Sequence, residues 1–153
     1  MVSEQVDSPT FRSNVRRTGA TATSVLPKLS RLRWRFATNH NIFSTPAVAA
    51  GLVCFGGRDR VVHALDQSTG AERWQFLTGK GISSSPTILA DAVYIGSEDG
   101  NLYRLDAASG KPHWHFAAGQ PIASSPAVVD GVVCVGSGGT RGGSVGAPSM
   151  LST

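Results

Sequence analysis

Trp34, Trp74 and Trp114 are spaced 40 residues apart, and the same interval separates Phe36, Phe76 and Phe116, Pro46, Pro86 and Pro126, and Gly56, Gly96 and Gly136. No other feature restricts the fold as much. Laid on one another, residues 44–83 and 84–123 agree at 13 of 40 positions, among them Ser44, Gly56, Asp59, Leu65, Asp66, Gly70, Trp74 and Ile82. The shared residues are turn formers and large apolar side chains, so what recurs is a backbone path together with its packing. A repeat of about 40 residues with strand-like patterning points to an all-β chain organised as a β-propeller, each repeat one four-stranded antiparallel blade. Blades bury their faces only against neighbouring blades. A chain of 153 residues holds fewer than three of them, whereas closed rings carry about four to eight. The remaining blades are expected from other protein chains or from a longer protein, with self-association as a further outcome.

Within each repeat the strands can be placed by alternation. Leu32, Trp34 and Phe36 alternate with Arg31, Arg33 and Arg35, the period of a half-exposed strand, which predicts an outer strand over 29–37. A first blade then spans 44–77 and a second 84–117, followed by a partial blade over 124–137. Pro46, Pro86 and Pro126 fall where each inner strand begins, a position that needs no ladder donor. Gly51, Asp59-Arg60 and Ser68-Thr69-Gly70 separate the strands, and Gly70 is expected to take a positive φ. Glu98-Asp99-Gly100-Asn101 reads as a tight hairpin.

Beyond Ser137 the phase breaks. An aromatic-aliphatic strand is due near 142–145, ending in Asp at 146, yet the sequence carries five glycines between 138 and 146. The third strand of this blade is therefore expected to be missing and 138–153 to be a glycine-rich disordered tail. A shifted reading frame or an incomplete gene would account for the break. At the other end, residues 1–28 lack apolar periodicity and read as a basic extended leader. The first 35 residues carry seven basic and two acidic side chains, a charge of +5, against seven basic and eight acidic in the remainder, −1. Nucleic acid is not expected as a partner, because the leader lacks interleaved aromatics beyond Phe11 and has no basic run longer than Arg16-Arg17. The start lacks the apolar core of a secretory signal and no apolar run is long enough to span a membrane, so the sequence as written reads as soluble and unexported. Cys54 and Cys134 share one repeat position two blades apart, too far for a disulfide. Tyr94 fills the same slot between them, and both thiols are expected to pack as small hydrophobes.

Ala64-Leu65-Asp66, Thr69-Gly70 and Trp74, repeated as Asp106, Gly110 and Trp114, together with Ser-Ser-Pro and Val-Tyr-Ile-Gly-Ser stretches, resemble the PQQ-like, quinoprotein-type β-propeller repeat. The resemblance covers about residues 29–137. It implies that Trp34, Trp74 and Trp114 pack between neighbouring blades on docking motifs that include Asp66, Gly70, Asp106 and Gly110. Two kinds of protein carry such repeats. Quinoprotein dehydrogenases bind pyrroloquinoline quinone over Ca²⁺ in a central funnel, and relatives of the outer-membrane barrel-assembly lipoprotein are binding scaffolds. The chain has no adjacent cysteines and no carboxylate cluster outside the turns. The expectation is accordingly a non-catalytic binding or assembly scaffold without cofactor, the alternative being an N-terminal fragment of a quinoprotein dehydrogenase.

Other candidate chemistry is thin. His113 and His115 could chelate zinc from one strand face, but no third ligand accompanies them and a solvent-facing polar pair is expected. Asp66 and Asp106 precede Ser/Thr-Gly turns, which suits capping of turn amides. Ser84-Ser85 and Ser124-Ser125 have no His-Asp arrangement, and Gly138 to Gly143 lacks the Lys-Ser/Thr of a phosphate loop. No catalytic, cofactor-binding or metal residue is assigned.

Overall fold

A computed structural model describes residues 32–138 and 149–152. Eleven strands occur among them and no helix. The first sheet has the order β1 (Ala47–Ala49), β2 (Leu52–Gly56), β3 (Val61–Asp66) and β4 (Glu72–Leu77), and the second repeats it with β5 (Thr87–Leu89), β6 (Ala92–Gly96), β7 (Asn101–Asp106) and β8 (Pro112–Ala117). All pairings are antiparallel, with Leu52 opposite Asp66 and Ala92 opposite Asp106 at matching places. Both sheets also shift register at the same place, between Ala64 and Leu65 and between Arg104 and Leu105. The molecule is a partial β-propeller. Its inner strands β1, β5 and β9 (Ala127–Val129) each start one residue after the proline at which they were expected to begin.

The core lies between sheets. Leu52, Cys54, Val62 and Trp74 of the first sheet meet Ile88, Val93, Ile95 and Leu105 of the second, with Ile82 from the connection wedged among them. The next interface repeats the scheme with Tyr94, Leu102, Ile122, Val128, Val133 and Val135. Ile82 and Ile122 are fully buried, each contributing about 1.5–3 kcal/mol by area. They occupy hollows left by glycine: a Cβ on Gly56 would fall 2.2 Å from Ile82 Cγ2, and one on Gly96 2.2 Å from Ile122 Cγ2. A third cluster, Val53, Phe55 and Leu65, lies on the outer face of the first sheet beneath Trp34 and Phe36.

Two expectations are corrected. The segment predicted as an outer strand over 29–37 is not assigned to any sheet where it is described, from residue 32 onward. A strand requires a ladder partner, and the inner strands of its blade are not among the described residues. The tail expected to be disordered over 138–153 contains β11 (Ser149–Ser152), which pairs with β10 (Val132–Val135) in a three-stranded sheet of order β11-β10-β9. Val132 lies opposite Ser152, whereas the 40-residue phase would put residue 146 there. The hairpin connection is thus six residues longer than in the other blades. A fixed period could not anticipate that. The leader 1–28 lies outside the described residues, as do 139–148. Among the described residues no helix is long and apolar enough to cross a membrane.

Candidate functional site

The recurring tryptophans form one geometry built twice. Trp74, on β4, reaches across to the turn between β7 and β8, where its indole Nε1 donates to Ala107 O at 2.8 Å. Trp34 does the same one blade earlier, donating to Gln67 O at 2.9 Å. Each ring lies flat on a glycine. A Cβ on Gly110 would fall 2.5 Å from the Trp74 ring, and one on Gly70 2.5 Å from that of Trp34. Both glycines have positive φ, 71° and 74°, so the turn closes and the indole approaches only because no side chain is present. Trp114 packs in the second interface with an edge-on contact to Tyr94 at 6.2 Å.

Asp66 and Asp106 hold these turns in shape. Asp66 Oδ1 accepts from Ser68 N at 2.9 Å, Thr69 N at 3.0 Å and Ser68 Oγ at 2.5 Å, while Oδ2 accepts from Arg73 at 2.6 Å. Asp106 Oδ1 accepts from Ser109 N at 2.8 Å and Ser109 Oγ at 2.6 Å. These donors favour the charged form. The Ser68 hydroxyl and the Arg73 guanidinium hold the Asp66 carboxyl far below the usual range, and Ser109 lowers that of Asp106.

The paired serines have structural partners. Gly56 N donates to Ser44 Oγ at 2.9 Å, Gly96 N to Ser84 Oγ at 3.2 Å and Gly136 N to Ser124 Oγ at 2.7 Å. Their neighbours link blades at the inner ring, with Thr45 N donating to Ser85 Oγ at 2.8 Å and Ser85 N to Ser125 Oγ at 3.0 Å. Pairing of a serine in one sheet with the backbone of the preceding one had no signal beyond the recurrence of Ser-Ser-Pro.

Several contacts were not foreseen. His63 is buried, stacks on Phe55 at 5.1 Å, and stands between Glu72 Oε1 at 2.8 Å and Asp59 Oδ2 at 3.2 Å. The second blade places Tyr103 at that position, donating to Asp99 Oδ2 at 2.8 Å. Burial and the Asp99 carboxylate push the Tyr103 hydroxyl up to about 12. Arg58 joins the first two sheets through an ion pair with Glu98. His113 and His115 are exposed, and His113 stands 3.8 Å from Asp106. Both cysteines are free thiols, and burial pushes Cys54 up. A groove of about 190 Å³ runs between the first two sheets, lined by Leu52, Arg73, Ile88, Asp91 and Asp106. Among the described residues no group of three or more His, Cys, Asp or Glu is placed to hold a metal ion.

No curated protein matches the chain. Among solved structures, BamB from Moraxella catarrhalis is similar at 27% identity and TM-score 0.62 over 69% of this chain and 33% of its own. Quinohemoprotein alcohol dehydrogenase from Comamonas testosteroni is similar at 28% identity and TM-score 0.74, over 88% of this chain and 23% of its own. A europium-containing methanol dehydrogenase shares the fold at 22% identity and TM-score 0.81, covering 98% of this chain and 30% of its own. The chain thus spans a third or less of the length of each. The family model described as outer membrane protein assembly factor BamB matches residues 12–89 and again 58–147. With the Trp-on-glycine turn recurring in step with those two matches, the chain belongs to the PQQ-like propeller repeat family that this model represents.

Proposed function

We propose that this chain acts as a non-catalytic, protein-binding scaffold, the blades serving assembly of other proteins and not turnover of a small molecule. One observation carries the reading. Two of the carboxylates that recur with the repeat, Asp66 and Asp106, are engaged by turn amides, hydroxyls and Arg73, and so hold the turns on which the tryptophans sit. A carboxylate saturated in this way is a poor general base and a poor metal ligand. The partner class follows from the family, whose model is described as an outer-membrane assembly factor; a protein of that assembly is the proposed partner.

A second reading is supported by the likeness to the quinohemoprotein alcohol dehydrogenase at 28% identity over 88% of the chain. In that reading the chain is an N-terminal piece of an enzyme using pyrroloquinoline quinone and Ca²⁺. The residues described do not fit those groups: the sequence has no adjacent cysteines, and Asp66 and Asp106 are turned into their own loops. Titration with pyrroloquinoline quinone and Ca²⁺, read by tryptophan fluorescence and followed by a dye-linked assay on alcohols, separates the two. The scaffold reading expects no saturable quenching and no turnover. Saturable turnover would replace it with the dehydrogenase reading.

A further inference from the structure

The groove between the first two sheets has an apolar floor and a charged rim. Its lining comes from the two four-stranded sheets and their turns, so it does not depend on what lies at either end of the chain. Ala49, Leu52 and Ile88 are buried and form the floor, and Arg73, Asp91 and Asp106 stand above them. A volume of about 190 Å³ is below the roughly 300–1,000 Å³ of sites for drug-sized ligands. It suits one long side chain.

The charge on the rim is uneven. Arg73 is paired with Asp66 at 2.6 Å. Asp106 is committed to its own turn through Ser109, with His113 at 3.8 Å, and adds charge to the groove without offering a free bond. Asp91 differs: its side chain is 74% exposed and meets Arg104 only at 3.6 Å, while the Nε of that arginine donates to the Tyr94 hydroxyl at 3.2 Å. Asp91 also breaks the repeat, because the same position is Gly51 in the first blade and Gly131 in the third. The hairpin therefore needs no carboxylate there. The placement is nevertheless rigid, since Asp91 O accepts from Ala107 N at 2.8 Å and Ala107 O in turn receives the Trp74 indole. We propose that this groove receives a lysine or arginine side chain of a protein partner, its aliphatic stem along Leu52 and Ile88 and its cationic head on Asp91. Charge complementarity selects the occupant: an anion would be repelled by Asp91 and Asp106, and a neutral chain would leave Asp91 without a counter-charge.

That the occupant is a protein rests on the scaffold reading; that it is a cation rests on the groove alone. The test is a titration of the 153-residue protein with acetyl-Ala-Arg-Ala-amide and acetyl-Ala-Lys-Ala-amide, followed in ¹⁵N–¹H spectra. The same peptide with citrulline, which keeps the shape of arginine and lacks its charge, is the control. Both cationic peptides should give saturable shifts at amides 91, 107 and 108 that weaken with added salt. Affinity should fall at least about tenfold for the citrulline peptide and in Asp91→Gly, through loss of a charge-assisted bond. Asp91→Gly installs the residue of the first and third blades, and an unmoved Trp74 indole signal shows that its fold is kept. Shifts that do not saturate, equal affinity for the citrulline peptide, or affinity unchanged by Asp91→Gly would each overturn the proposal. Quinone turnover would overturn the scaffold reading and would not move these titrations, so the two failures are distinguishable.

Discussion

Adding one methyl group at Gly110 tests how the blades are joined. In Gly110→Ala the new Cβ would lie 2.5 Å from the Trp74 ring, well inside contact distance, so the indole must leave its seat. The φ of 71° adds a cost of its own, about 1 kcal/mol for a residue with a Cβ in the left-handed region. Trp74 is nearly buried, and Trp74→Ala should cost about 3–5 kcal/mol in lost burial and cavity. If the two effects were independent, the double variant would lose about 5–9 kcal/mol, the truncation together with about 1 kcal/mol of backbone cost and about 1–3 kcal/mol of clash. The clash, however, exists only while the ring is there. In the Trp74→Ala background Gly110→Ala should cost only the backbone part, about 1 kcal/mol, which leaves a coupling of about 1–3 kcal/mol. Urea melts of the four proteins at one low protein concentration measure it. Strict additivity would mean that the ring and the glycine do not meet, and the clasp would be discarded.

Gly96→Ala should destabilise by about 1–3 kcal/mol through overpacking on Ile122, and by less in an Ile122→Ala background, which lacks the Cγ2 that the new Cβ meets; the matching change Gly136→Ala, whose Cβ would meet only Ser124, should be near neutral in thermal melts. Tyr103→Phe should cost about 1 kcal/mol by removing the bond to Asp99, while His63→Tyr should be tolerated, because Tyr103 occupies that position in the second blade; thermal melts rank the two. The carboxyls of Asp66 and Asp106 are lowered in the fold, so they contribute stability that is present above the unfolded carboxylate value of about 3.9 and lost as pH falls below it. Melting temperature followed from pH 6 to pH 2, as illustrative limits roughly spanning that value, should drop less steeply in Asp66→Asn and Asp106→Asn than in the parent protein.

The period was readable because the residues that set it are chemically hard to replace. Gly70 and Gly110 must admit a ring, and Trp74 must fill the space. Pro46 and Pro86 mark strand starts, the strands themselves beginning one residue later, at Ala47 and Thr87. What could not be read depends on partners remote in sequence. Leu32, Trp34 and Phe36 alternate as a strand should, yet alternation reports a face and not a ladder, and here the ladder is missing. Ala50 and Ala90 adopt φ of 51° and 52°, which no glycine announces. Arg60 takes φ 73° where the next blade uses Gly100, so composition misses the equivalence of the two turns. The third blade hid its third strand because Ser149–Ser152 follows a connection six residues out of phase. Ile42, Ile82 and Ile122 recur as plainly as the tryptophans. Their role became visible only when two of them were seen over glycines.

The most direct test of the central claim, that tryptophans seated on glycine turns join successive blades, is the ¹⁵N–¹H spectrum of the three indole groups. Trp34 and Trp74 should give dispersed, slowly exchanging Nε1–H signals, because each donates to a backbone carbonyl of the next sheet. Gly110→Ala should move the Trp74 signal and speed its exchange while leaving Trp34 in place. Indole signals bunched at the position of unfolded tryptophan, or a Gly110→Ala spectrum in which Trp74 does not change, would contradict it.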